Sequence, residues 1–254
     1  MKYGAMQYLL GVQEPLFETA RAMGLDGVEL GYGEDNDLTT VPAKRAVTKG
    51  FAAAAGVLVP SLCIGCLNRG GLSSDDATVH DRALELIHGS LDAAVELGAT
   101  VILVPFFFKA APHTEVELQR VVDGLRAVAP EAERRGLTLA YEGELPAASM
   151  IELLDRIDSP AVKDYYDVGN AVWLGFDPLA EIRQLGDRIA QVHFKEFDQK
   201  LNACPLGEGQ VPVAEACDAL REIGYDGWVV LETGTFGDAL TNTKKQFDYL
   251  HQFI

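Results

Sequence analysis

Four apolar runs in the second half of the chain each end in a side chain that can bind a cation or carry a proton. Leu137–Glu142 and Val162–Asp167 end in carboxylates, Ile189–His193 in an imidazole, and Trp228–Glu232 in a third carboxylate. Brought to one rim, three carboxylates would repel one another and raise at least one pKa unless a cation compensated them. A divalent metal is the economical cation. Three oxygens and one imidazole nitrogen, with room for water or substrate oxygens, suit Mn²⁺, Co²⁺ or Mg²⁺ better than a thiolate-preferring structural zinc. Three negative charges against two positive leave one carboxylate able to stay basic or share a proton, and so to work as a general base.

These side chains share a rim only if the runs are strands of one sheet. The chain repeats a unit of helical pattern, glycine and short apolar run: Gly24 before Gly27–Leu30, Gly56 before Val57–Ile64, and Gly98 before Thr100–Phe106. Gly136 precedes Leu137–Glu142, Gly186 precedes Ile189–Phe194, and Gly224 precedes Trp228–Glu232. Glycine after a helix takes the left-handed stop conformation without a Cβ penalty, so each is a helix end feeding a strand. Lys2–Gln7 lacks a preceding helix, and Val162–Asp167 follows Ser159-Pro160 rather than glycine. Helical patterns fall at Pro15–Met23, Pro42–Ala55, Ala77–Leu97, Glu115–Arg135, Ala147–Ile157, Leu179–Leu185 and Val213–Ile223, with a last one at Ala239–Phe253.

Eight strands alternating with helices, several apolar almost throughout, predict the α/β class and a (β/α)8 TIM barrel forming a single domain over residues 1–254. The other candidate is a doubly wound open sheet, but its G-x-G-x-x-G phosphate fingerprint is absent after the first strand. In a barrel, reactive groups sit at the carboxyl ends of the strands, where the four runs present theirs.

Composition narrows the function further. With 21 Lys plus Arg against 38 Asp plus Glu, the net charge is -17, which repels phosphate backbones and anionic lipid and argues against nucleic-acid or membrane partners. There is no signal peptide and no apolar run long enough to span a bilayer, so a cytoplasmic protein is expected. Cys63 and Cys66 have C-x-x-C spacing, but Cys204 and Cys217 form no second pair, so ordinary thiols are expected rather than a zinc ribbon.

Gly24–Leu30, Glu142, Asp167–Asn170, His193–Lys195, Leu206–Gly209 and Glu232 together carry a family likeness. The chain resembles the xylose isomerase-like TIM barrels, the sugar phosphate isomerase/epimerase group that includes ketose 3-epimerases, hydroxypyruvate isomerase and inosose dehydratase. By that resemblance Glu142, Asp167, His193 and Glu232 would hold one divalent ion, usually Mn²⁺. Glu142 and Glu232 would be the catalytic acid/base pair on opposite sides of a sugar carbon, transferring a proton through a metal-stabilised cis-enediolate. A homo-oligomer is a further expectation from the family. Free-ketohexose 3-epimerases tend to have histidines where Asn170 and Lys195 stand and an extra glutamate near Ala148, so the metal cage carries over and the sugar contacts do not.

Lys195, Asn170 and Glu208 are the candidate substrate-binding residues. Each has a plainer role open to it: a rim ion pair with Glu196 for Lys195, a helix cap for Asn170, a solvated turn for Glu208. Glu29 fits the barrel floor or the pocket edge. Phe106, Phe107, Phe108 and Trp173 would form an apolar pocket wall or an interface patch, and His80, His88, His113 and His251 are read as structural. A metal-dependent lyase, dehydratase or deglycosidase acting on a keto-sugar would use the same site. A non-catalytic sugar-binding barrel does not require two opposed glutamates, and an endonuclease IV-like nuclease would need more histidines and a basic face.

Overall fold

Strands that are apolar on both faces need strand neighbours on both edges and helices over the outer face. The computed structural model, which describes residues 1–11, 15–33 and 36–253, meets that need by closing the sheet on itself. The strands are β1 (Lys2–Met6), β2 (Gly27–Gly31), β3 (Ser61–Cys63), β4 (Val101–Phe106), β5 (Thr138–Gly143), β6 (Val162–Asp167), β7 (Ile189–Phe194) and β8 (Trp228–Leu231). They pair in parallel in sequence order, and β8 returns to β1. The chain is a TIM barrel.

The outer layer comprises α2 (Leu16–Met23), α4 (Pro42–Ala55), α5 (Ala77–Leu97), α6 (Glu115–Arg134), α7 (Ala147–Ile157), α9 (Pro178–Leu185), α10 (Val213–Glu222) and α11 (Ala239–Leu250). Three short helices absent from the sequence expectation lie in the βα loops: α1 (Gln7–Leu10), α3 (Asp37–Thr40) and α8 (Val168–Trp173). At four to six residues, they are too short to show a 3.6-residue period.

Two differences from the sequence expectation have local causes. Where β6 lacks a leading glycine, Asp158 takes the left-handed position after α7 at φ 53°, and its N–H reaches the Leu154 carbonyl. Asp tolerates that region better than most residues. The run expected at Val57–Ile64 is a strand only from Ser61 to Cys63, because Pro60 has no N–H for the ladder; Leu58 keeps a single bridge to Gly27.

The barrel centre is polar below the rim. Buried Glu29 of β2, Ser61 of β3, Tyr165 of β6 and Gln191 of β7 hydrogen-bond to one another across the axis. No helix among the described residues is long and apolar enough to cross a membrane.

Candidate metal centre

Alternation along each strand decides which side chains enter the barrel. On β6, Tyr165 and Asp167 point inward while Asp164 and Tyr166 face the helices, and Asp167 pairs in register with His193 of β7. Glu142 comes from β5, and Glu232 follows β8 directly, its N–H still bonded to the Phe194 carbonyl at 3.0 Å. One ligand atom from each of Glu142, Asp167, His193 and Glu232 lies within 4.8 Å of the others. His193 Nδ1 is 3.2 Å from Glu232 Oε2, 3.5 Å from Glu142 Oε1 and 3.8 Å from Asp167 Oδ2.

The ring of His193 is aimed from behind. Its Nε2 lies 3.1 Å from Glu29 Oε1, while Glu29 Oε2 accepts from Ser61, from the Tyr165 hydroxyl at 2.7 Å and from Gln191 at 3.3 Å. With Nε2–H donating to Glu29, Nδ1 faces the three carboxylates, where it would offer its lone pair to an ion, the arrangement by which metal-binding histidines are oriented.

Asp167 Oδ2, His193 Nδ1 and Glu232 Oε2 are buried without a hydrogen-bond partner, although the two oxygens lie at ion-pair distance from Lys195. Buried polar atoms ordinarily find partners. Three such atoms converging with a carboxylate oxygen make a hard-to-borderline donor set that fits a divalent cation.

Electrostatics agrees with that fit. Burial, helped by the Glu232 charge and opposed by His193, pushes the Glu142 carboxyl up to about 7. Burial also raises Asp167, against the opposing charge of Lys195. Burial alone would raise Glu232, but Lys195 and His193 more than offset it and hold that carboxyl well below its usual range. Burial alone would lower the His193 imidazole; Glu232 and Glu29 reverse this and raise it well above its ordinary value. With no divalent ion, the cluster therefore draws protons to offset its negative charge.

The cleft above the cluster has a volume of about 500 Å³ and is walled by Met6, Phe107, Phe108, Trp173 and Phe197, with Asn68, Asn170 and Lys195 as polar groups. The expected aromatic wall thus divides: Phe106 is buried and stacks on Tyr141 at 4.2 Å between centroids, while Phe107, Phe108 and Trp173 reach the cleft. Lys195 does not pair with Glu196 but with Asp167 and Glu232. Glu196, 2% exposed, instead accepts the N–H groups of Phe197, Gly207 and Val211.

Asn170 is not the cap of α8. Asp167 is, accepting the Asn170 N–H at 2.6 Å through Oδ1, while the Asn170 side chain donates to Glu142 Oε1 at 3.3 Å. Glu208 is exposed outside the cleft lining: Glu196 gathers the loop, and Gly207 packs so closely on Tyr249 that a Cβ would come within 2.7 Å of its ring. Cys63, Cys204 and Cys217 are free thiols, and buried Cys63 lines the cleft. His80, His88 and His251 contact Leu72, Glu131 and Tyr3 respectively, away from the cluster. Glu29 is the residue that sequence reasoning left undecided; its signal was a carboxylate at an inward position of an otherwise apolar strand.

The family model for the xylose isomerase-like TIM barrel matches residues 17–253. The chain belongs to that family. Among curated proteins, it is 33% identical over 206 residues to 2-epi-5-epi-valiolone 7-phosphate 2-epimerase of an Actinoplanes species, covering 80% of this chain and 75% of the relative. It is 29% identical to the putative L-ribulose-5-phosphate 3-epimerase SgbU of Escherichia coli K12, covering 85% and 82%. The family fold recurs in D-psicose 3-epimerase crystallised with D-fructose, with a TM-score of 0.82 at 19% identity over 100% of this chain and 99% of the other. It recurs also in the E. coli 3-keto-D-glucoside 4-epimerase YcjR, with a TM-score of 0.80 at 20% identity over 99% of each chain.

Proposed function

We propose that the chain is a divalent-metal-dependent isomerase or epimerase of a sugar or sugar derivative, with Glu142 and Glu232 moving the proton. The observation that carries this is the convergence of Glu142, Asp167, His193 and Glu232 at one buried point, where, among the described residues, the two carboxylate oxygens Asp167 Oδ2 and Glu232 Oε2 and the His193 Nδ1 atom have only the Lys195 ammonium as counter-charge. The names of the two curated relatives above, each that of an epimerase of a phosphorylated substrate, support the reaction class.

The four side chains would hold the ion, Mn²⁺ first and Co²⁺ or Mg²⁺ as alternatives. When bound, it supplies Lewis-acid polarisation of the substrate carbonyl, which acidifies the neighbouring C–H. Glu142 and Glu232 both line the cleft; one removes that proton and the other returns one to the opposite face. Lys195 and Asn170 serve as substrate contacts, Lys195 to a hydroxyl or an anionic group. Phe107, Phe108 and Trp173 cover the C–H faces of the sugar and keep bulk water from the reacting carbon. Glu208 stands exposed, outside that cleft.

A screen of ketoses, sugar phosphates and keto-glycosides in Mn²⁺, read by product NMR, identifies the substrate. On that substrate, Glu142→Gln and Glu232→Gln should each lower kcat/KM by about a hundredfold or more with the fold intact by circular dichroism. Turnover retained in either variant would remove that glutamate from proton transfer. Solvent deuterium should enter the product at the reacting carbon; its absence, with internal return excluded, would favour a hydride shift.

A further inference from the structure

Lys195 follows His193 by two residues, so the alternation that turns His193 toward the barrel axis turns Lys195 the same way. Its ammonium lies 3.2 Å from Asp167 Oδ2 and pairs with Glu232 Oε2. These are the oxygens a cation would need. Asp167 gives its other oxygen, Oδ1, to the Asn170 N–H, which leaves Oδ2 for the cluster. Glu232 Oε2 is the atom 3.2 Å from His193 Nδ1.

The lysine is built into this position. Gly169 in α8 lies against it, and a Cβ there would come within 2.6 Å of the Lys195 carbonyl oxygen and closer still to its Cγ. Only glycine leaves room for that stem, and the side chain is 18% exposed.

We propose that Lys195 is a tethered counter-cation, which neutralises Asp167 and Glu232 while no divalent ion is bound and competes with the ion for those two oxygens. This rests on the reading of the four side chains as a metal centre. An ammonium and a divalent ion bearing on the same oxygens repel each other, and the buried site screens that repulsion poorly. Ion binding therefore draws the ammonium off at least one of the two oxygens and leaves it as a donor in the cleft it already lines. The lysine thus lowers metal affinity and in exchange keeps two buried carboxylates compensated in the metal-free chain.

The test is calorimetric titration of Mn²⁺ into the whole chain as wild type, Lys195→Met and Lys195→Gln. Removing the ammonium should tighten Mn²⁺ binding by about tenfold or more, the scale on which groups around a metal site alter its affinity. The metal-free Tm should fall further than the Mn²⁺-loaded Tm. Unchanged or weaker binding in either folded variant overturns the proposal. Crystal structures of the wild type with and without Mn²⁺ test it independently of the variants: withdrawal of Nζ from at least one oxygen upholds it, and an ammonium retained on both overturns it. Asp167→Asn separates the two levels. If that substitution abolishes Mn²⁺ binding while both lysine variants bind as the wild type does, the competition fails and the metal centre stands. If it leaves Mn²⁺ binding unaltered, or the wild type binds none, the metal centre fails and the competition with it.

Discussion

The proton on one imidazole decides whether His193 can serve as a ligand. Glu29 Oε2 is surrounded by donors from Ser61, Tyr165 and Gln191, and Oε1 faces His193 Nε2. In Glu29→Gln, the amide oxygen best satisfies the three donors, which turns the NH₂ toward Nε2. The imidazole must then accept there and carry its proton on Nδ1, where the lone pair is needed. Mn²⁺ affinity should fall about 10–100-fold, measured by calorimetry. An unchanged affinity would show that Glu29 does not set the tautomer.

At the scale of elements, β6 carries different chemistry on its two faces. Its outer face places Asp164 and Tyr166 with Glu181 of α9 around a small cavity beneath α7. Glu181 accepts the Ala147 N–H at the start of α7 at 2.9 Å and the Tyr166 hydroxyl at 3.2 Å. Asp164 Oδ2 has no such partner, and burial, reinforced by Glu181 and Glu142, pushes its carboxyl well above its ordinary value of 3.8. The folded chain therefore keeps a proton that the unfolded chain releases above about pH 4. The stability from this group is complete below that pH and is lost as pH rises toward the raised native pKa. Asp164→Asn mimics the neutral acid and removes the titration. Its Tm relative to the wild type should rise as pH increases above about 4; a difference constant with pH would refute the assignment.

For the molecule as a whole, an ion joining four strand ends stabilises only the closed barrel, since the unfolded chain does not assemble the four ligands. The Tm in chelator should lie below that in excess Mn²⁺, with about 2.7 kcal/mol of stabilisation at a free-ion concentration a hundredfold above Kd. His193→Ala should abolish the difference. Equal Tm values with and without Mn²⁺ would mean that the native chain does not take the ion up. The same closure brings every βα loop to one end of the barrel, which is why Glu142, Asp167 and Glu232 meet at a single mouth.

Local chemistry determined the alternation of elements. Left-handed glycine stops such as Gly24, Gly56 and Gly98 and the doubly apolar runs are properties of adjacent residues, and they place the strands without any long-range contact. Alternation also put Glu142, Asp167, His193 and Glu232 at strand ends, because a side chain's position on its own strand depends on neighbours in sequence. Which atoms meet across the barrel was another matter. Glu29 behind His193, Lys195 on the carboxylates instead of Glu196, and Asn170 on Glu142 are contacts between distant strands and loops, set by closure, register and the turn of α8. A one-dimensional pattern carries no distance between β2 and β7, so those pairings belong to the tertiary structure alone.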